Sequence, residues 1–308
     1  MVDQMPKHYG MKLTPTFHSS IYPAIDPEKH KLSTPHVVVV TGAGKGLGYH
    51  VSLNYARAGA SGISISSRTQ KDLDKLTEEI KSIDPKIEIL STITDTQSDK
   101  SVEELAEAVK QKWGRVDTVV ANAGIISKYV ESKSRSNLPV GIIEDNDWAR
   151  VLDINLLGSW RIAKAFMPLL VATKDGLQTL IVNTSLAAHS MNSFLTPIAY
   201  NVSKIAVNRL VEHIAADHEK DGILAFALHP GAVLTPQTEG HVNGDVWAQV
   251  LHDDVGLAGA WSVWLSRERR AWLSGRYASC NWDVEELEKM KDDIVTKDLL
   301  KFRMGIPE

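Results

Sequence analysis

Between Pro35 and Ser279 the chain alternates short apolar runs with longer amphipathic stretches, and this rhythm restricts the fold more than any other feature. His36–Val40 is dominated by valine, the pattern of a strand buried on both faces, and the helical stretch Leu47–Ala58 after it stops at Gly59. Next come a strand at Ile63–Ser66, a helix at Lys71–Ile83 halted before Pro85, and a strand at Ile87–Ser91. Ser101 and Glu104 form a capping-box pattern opening a helix that runs to Trp113 and ends at Gly114. The series continues with strands at Thr118–Ala121, Thr179–Asn183, Ile223–Leu228 and Gly275–Ser279, and with helices at Trp148–Leu170 and Ala199–Asp217. Alternation of this kind predicts an α/β fold in which a doubly wound parallel sheet is covered by helices on both faces.

Composition narrows the function classes. Of 308 residues, 43% are apolar and 23% charged, so the chain can bury a core without disulfide or metal staples. The 34 basic against 38 acidic residues give a net charge of −4, and no basic block exists to bind nucleic acid or an anionic membrane. Cys280 is the single cysteine, which excludes an intrachain disulfide and a cysteine-based zinc site and fits a reducing, cytoplasmic setting. No metal site is expected. Residues 1–33 lack an apolar targeting core and are broken by prolines; Phe17, Ile21, Tyr22 and Ile25 suggest an arm pinned to a body that spans 34–283, followed by a tail at 284–308. Trp261, Trp264, Trp272 and Trp282 crowd the C-terminal quarter and read as core.

Immediately after the first strand stands Thr41-Gly42-Ala43-Gly44-Lys45-Gly46-Leu47-Gly48, and a helix begins at once. Glycines there let a backbone approach a pyrophosphate and turn helix amides toward it. A G-x-G-x-x-G would need glycine at Leu47, and a phosphate loop of the NTPase type would need Gly-Lys at Leu47 and Gly48, so neither applies. The pattern present is T-G-x-x-x-G-x-G, carried by Thr41, Gly42, Gly46 and Gly48.

That pattern resembles the turn of the short-chain dehydrogenases/reductases, and further segments resemble the same family in the same order. Asn122-Ala123-Gly124 matches the N-A-G segment, with Ala121 where a first Asn is more usual; Trp148–Gly158 is similar to the helix that carries the active-site asparagine, here Asn155. Ile181–Ser185 resembles the strand ending in the catalytic serine, Tyr200-Asn201-Val202-Ser203-Lys204 matches Y-x-x-x-K, and His229-Pro230-Gly231 with Val233 and Thr235 matches the P-G…T segment. The resemblance covers Pro35 to Asp283 and implies a single Rossmann-type domain; the arm and the tail Trp282–Leu287 resemble those of fungal members.

Tyr129 and Lys133 repeat the Y-x-x-x-K spacing, but in a polar stretch with no strand-borne serine upstream, which marks a coincidence. Tyr200 and Lys204 open an amphipathic helix instead, where residues one turn apart share a face. An ordinary phenol titrates near roughly 10, and a neighbouring ammonium favours its ionised form. The resemblance then implies the roles: Tyr200 as general acid/base, Ser185 as hydrogen-bond donor to the reacting oxygen, Lys204 as holder of the ribose hydroxyls, and Asn155 as the residue holding a relay water. Thr184, Ser190 and Ser193 are the nearby alternatives to Ser185, and His189 reads as a plain loop histidine ahead of a substrate contact.

The second strand ends in Ser66-Ser67-Arg68 with no acidic residue, which favours NADP(H), with Lys45 as a second cation for the extra phosphate; solvated surface cations are the bland alternative. Thr92 and Ile93 occupy the position where the family contacts adenine. Three segments are expected to line the substrate cleft: Ile125–Asn146, Leu186–Ile198 and Pro236–Trp247. Met191, Phe194, Leu195, Val246 and Trp247 there suit a neutral, fairly hydrophobic carbonyl or secondary alcohol, or else pack on the body. The family implies pairing of helices 148–170 and 199–217 into a homodimer or homotetramer. An NADP-binding fold without redox turnover, serving isomerisation, cyclisation or sensing, stays open beside the reductase reading; a sugar-nucleotide epimerase is disfavoured by the glycine spacing and the short chain after the sixth strand.

Overall fold

A computed structural model describes residues 6–127, 147–193, 196–239 and 251–304. Seven parallel strands form its sheet: β1 (Val37–Thr41), β2 (Gly62–Ser67), β3 (Glu88–Ile93), β4 (Thr118–Ala121), β5 (Thr179–Asn183), β6 (Leu224–His229) and β7 (Arg276–Ser279). Their order is β3-β2-β1-β4-β5-β6-β7, so the winding reverses between β1 and β4 and opens a crevice at the carboxyl ends of those strands.

Helices α1 (Gly46–Arg57), α2 (Gln70–Ile83) and α3 (Asp99–Trp113) follow the first three strands. After β4 come α4 (Trp148–Leu152), α5 (Gly158–Ala172) and α6 (Ile198–Asp217), then a single turn α7 (Pro236–Glu239) and α8 (Leu257–Arg267). Because alternate strand residues face opposite ways, β1 feeds two cores. Val38 and Val40 join Tyr55, Leu73, Trp261 and Trp264 on the side of α1, α2 and α8. Val39 joins Leu105, Phe166 and Val207 on the side of α3, α5 and α6. Trp261, Trp264 and Trp282 are buried almost completely, while Trp272 packs at the edge of the first core.

Three local expectations shift. The cap of α3 is Ser98, whose hydroxyl accepts from the Ser101 amide at 3.2 Å; Ser101 instead lies inside the first turn and its hydroxyl accepts from Asp95 N at 3.1 Å. The sequence offers serines at both positions, and the chain reversal at Asp95 decides between them. Strand β3 runs on through Ile93, because Ser66 and Ser67 of β2 supply register partners for Thr92 and Ile93. The continuous helix expected over Trp148–Leu170 is interrupted by a π turn at Asp153–Leu157. Hydrophobic periodicity cannot report one extra residue inserted into a turn.

The N-terminal segment is laid against the C-terminal one. Phe17 bridges to Trp282, the Trp282 indole donates to Gly10 O at 2.8 Å, and the Tyr22 hydroxyl donates to Trp282 O at 3.0 Å. Ile25 and Leu32 sit in the same core as Val284 and Leu287 of α9 (Val284–Lys289) and Ile294 of α10 (Lys291–Thr296). Among the described residues no helix is long and apolar enough to cross a membrane.

Candidate active site

The glycine turn packs closely enough that a Cβ on Gly42, Gly44 or Gly48 would meet a neighbour within 3.0 Å. Gly42 and Gly46 adopt left-handed φ angles of 64° and 57°. A Cβ on Gly48 would lie 2.4 Å from Asn122 Nδ2 and 2.5 Å from Gly42 O, so α1 rests directly on the strand ends. Lys45 precedes α1 without a side-chain cap, and no acidic residue lies in the first turn, which leaves the helix amides directed at the crevice. A cleft of about 430 Å³ opens there, a size suited to a bound small molecule. Gly42, Gly44, Lys45, Gly46, Leu47, Ser67 and Arg68 line one part of it, and Asn122, Ala123, Gly124, Tyr200, Lys204, Pro230 and Thr235 another.

Several sequence-predicted residues lie elsewhere. Thr41 does not line the cleft: its hydroxyl accepts from the Asn122 and Ala123 amides at 3.1 and 3.2 Å and ties β1 to the turn after β4. Gly48 serves close packing and is likewise outside the lining. Thr92 and Ile93 stay within β3, Ile93 is 57% exposed, and Thr94, Asp95 and Thr96 line the cleft in their stead. Gly231 and Val233 line a second, smaller pocket. Lys45 pairs with Asp72 at 3.3 Å, a partner that sequence reading overlooked, whereas Arg68 has no carboxylate partner among the described residues.

The second pocket adjoins the cleft, and Tyr200 lines both. Ser185, Leu186, His229 and Val233 line it too, with no Asp, Glu, Lys or Arg among the described lining residues. Burial pushes His229 down to about 3, and its Nδ1 accepts from Leu186 N at 3.1 Å, so the imidazole is neutral at pH 7. Ser185 follows β5 by two residues and caps the 3₁₀ turn Leu186–His189, accepting from Ala187 N at 3.1 Å. Ser190 also lines this pocket, while Thr184 donates to Lys204 O at 3.2 Å. Tyr129 and Lys133, and Phe194, Leu195, Val246 and Trp247 of the expected substrate loops, fall outside the described residues.

Within α6 the Lys204 ammonium sits 5.5 Å from the centre of the Tyr200 ring and donates to Asn183 O at 2.8 Å. Burial lowers the Lys204 ammonium to about 8. The phenol lies deep while the Tyr200 residue keeps partial exposure along the cleft; burial raises its pKa, and the hydrogen bond with Ser185 opposes that rise. This differs from the expectation that Lys204 makes the phenol more acidic: desolvation is the larger effect, and Ser185 provides the opposing one.

Asn155 stands in the π turn and is buried. Its Oδ1 accepts from Ile125 N at 2.8 Å, and its Nδ2 donates to Ile125 O at 2.9 Å and Ser203 Oγ at 3.0 Å. Both amide protons are therefore used inside the protein, and only acceptor capacity on Oδ1 is left for a relay water. Asn155 fixes the segment after β4 to the base of α6. Asn122 joins three strands: it donates to Thr41 O at 2.9 Å and accepts from Asn183 Nδ2 at 2.6 Å. His189 packs against the rings of Tyr277 and Phe302 and is lowered to about 4 by burial, so it belongs to the core beneath the serine turn.

A family model described as short chain dehydrogenase matches residues 36–244. A short chain dehydrogenase named pgmD from Aspergillus terreus is 32% identical over 318 residues, covering 99% of this chain and 98% of its own length. Another, pigC from Monascus ruber, is 36% identical over 300 residues, covering 94% and 93%. Of solved structures, levodione reductase superposes with a TM-score of 0.70 at 20% identity, over 80% of this chain and 96% of its own, a likeness of fold. Model and relatives together span nearly the whole chain, and the conclusion they support is that it belongs to the short-chain dehydrogenase/reductase family, whose members are oxidoreductases that use NAD(P)(H).

Proposed function

We propose that the protein transfers a hydride between NADP(H) and the carbonyl or secondary alcohol of a neutral, fairly hydrophobic small molecule, with Tyr200 as general acid/base. The observation that carries this reading is the position of Tyr200, which lines both the glycine-walled cleft and the uncharged pocket beside it. A proton donor at that junction can serve a molecule in one pocket that reacts with a group held in the other.

The residues present fit a dinucleotide. Gly42, Gly44 and Gly46 keep the floor free of side chains, the first turn of α1 offers uncapped amides to a pyrophosphate, and Arg68 and Ser67 line the same cleft with chemistry that suits a 2′-phosphate. Lys204 and Asn183 line the cleft beside Tyr200 and suit the ribose and nicotinamide end. Bound there, the nicotinamide supplies or takes up the hydride. A raised pKa keeps the Tyr200 phenol protonated at neutral pH, the form that donates to a carbonyl oxygen during reduction. Ser185 stabilises the developing charge on that oxygen by hydrogen bonding. Ser185, whose hydrogen bond opposes the rise in the Tyr200 pKa, favours the phenolate that forms in the reverse direction, alcohol oxidation.

The test is turnover of a ketone panel with NADPH and with NADH, alongside Tyr200→Phe. Wild type is expected to prefer NADPH, and the variant to lose about 10²–10⁴-fold in kcat. Equal turnover by Tyr200→Phe would remove the proposed acid, and NADPH affinity within about twofold of wild type would show the fold intact.

A further inference from the structure

We propose that Tyr9, on the N-terminal segment, is a specificity-determining residue of the substrate pocket and that it selects an uncharged, planar ring carbonyl compound. The inference rests on the reading of that pocket as the substrate site and adds to it a wall and a substrate shape. Tyr9 ends the 3₁₀ turn Lys7–Tyr9 and lines the pocket together with Tyr200, Ser185 and Leu251. It lies well outside the stretch matched by the family model, which starts at residue 36. The described lining otherwise comes from Leu47 and from the segments around β4, β5, α6 and β6.

Two sets of contacts hold Tyr9 in place. Gly10, at a left-handed φ of 69°, accepts the Trp282 indole proton at 2.8 Å, which fixes the backbone beside Tyr9. The Tyr9 ring stands 6.0 Å from that of His189, which stacks on Phe302 at 5.1 Å and meets Tyr277 edge-on at 4.6 Å. His189 closes the 3₁₀ turn that Ser185 opens, so this aromatic column joins the N-terminal segment to the turn bearing the proposed oxyanion donor. A second link joins the N-terminal segment to Ala232, another lining residue: Asn281 donates to His18 O and to Asp253 Oδ2, both at 2.9 Å, and the same Asp253 oxygen accepts from Ala232 N at 2.7 Å. An aromatic side chain with few rotatable bonds, already braced before a ligand arrives, offers contact area at little entropic cost. Its flat surface suits a planar ring, and the absence of charged side chains from the described lining disfavours an ionised substrate.

The experiment compares wild type, Tyr9→Phe and Tyr9→Ala with 2-tetralone, whose fused benzene ring supplies the flat face, as the ring probe and 2-butanone as the small acyclic one. It measures kcat/KM with NADPH, and 2-tetralone binding to NADP⁺-saturated protein by calorimetry. Tyr9→Ala is expected to weaken 2-tetralone about tenfold in binding and kcat/KM, with 2-butanone within about twofold and Tyr9→Phe close to wild type. Equal loss on both ketones, loss in Tyr9→Phe as large as in Tyr9→Ala, no loss, or no 2-tetralone binding to wild type would overturn the inference. Tyr9-dependent binding without turnover of either ketone would support it and count against the reductase reading instead. Should Tyr9→Ala fail to fold, Tyr9→Leu provides the same comparison with the ring removed and its bulk largely kept.

Discussion

Arg68 and Lys204 carry charges in very different surroundings, and each predicts a separate measurement. Among the described residues Arg68 lines the cleft without a carboxylate partner, and Lys45 nearby shares its charge with Asp72. Exposed pairs of the latter kind contribute little, so Arg68 is the stronger candidate for discriminating between the two dinucleotides. Arg68→Asp is expected to cost at least about tenfold in NADPH affinity while sparing NADH, as read by nucleotide fluorescence; an unchanged ratio would argue against NADP(H) preference. Lys204 is lowered by burial from 10.5 to about 8. Between those values the unfolded chain binds the proton that the folded one has released, so this group makes stability rise with pH across that window. Wild type should accordingly gain urea resistance relative to Lys204→Met from pH 8 to about 10.5, and a constant difference would contradict the burial argument. The spacing of Tyr200 and Lys204 was readable because helical geometry is local, whereas the direction of the Tyr200 shift was not, since desolvation depends on the surrounding core.

At the scale of elements, the serine that caps α3 was misplaced by three residues. Ser98 accepts from Ser101 N, and the Ser101 hydroxyl accepts from Asp95 N. Ser98→Ala should cost about 1 kcal/mol in chemical unfolding, and Glu104→Ala only a few tenths, the reverse of what a capping box at Ser101 would give. Glu104 forms an exposed pair with Lys100 at 3.7 Å. The strands were legible because a parallel strand buried on both faces leaves an unbroken apolar run, as in Val37–Val40. The π turn that carries Asn155 was not, because both helical segments around it keep apolar faces of similar period.

Across the whole molecule, apolar side chains left uncovered on the π turn, α5 and α6 point to assembly. Leu157, Trp160, Val202 and Ile205 are each between 38% and 44% exposed. Family members commonly oligomerise, and these helices are where the chain is expected to pair with a second copy. Light scattering at micromolar concentration should give a multiple of the chain mass, and Trp160→Asp with Ile205→Asp should reduce it toward the monomer; a monomeric wild type would leave those side chains without the proposed role.

The alternation that makes a parallel sheet, the glycine turn and the one-turn spacing of Tyr200 and Lys204 are all written in the chain, because each is encoded by neighbours a few residues apart. Three-dimensional packing brought Trp282 onto Gly10 and Tyr9 into a pocket with Ser185, committed the amide protons of Asn155 to Ile125 and Ser203, and put Thr94 in the place expected of Thr92. Those contacts join residues far apart in the chain, and their partners are chosen by packing and hydrogen-bond satisfaction in three dimensions, for which a linear pattern carries no signal.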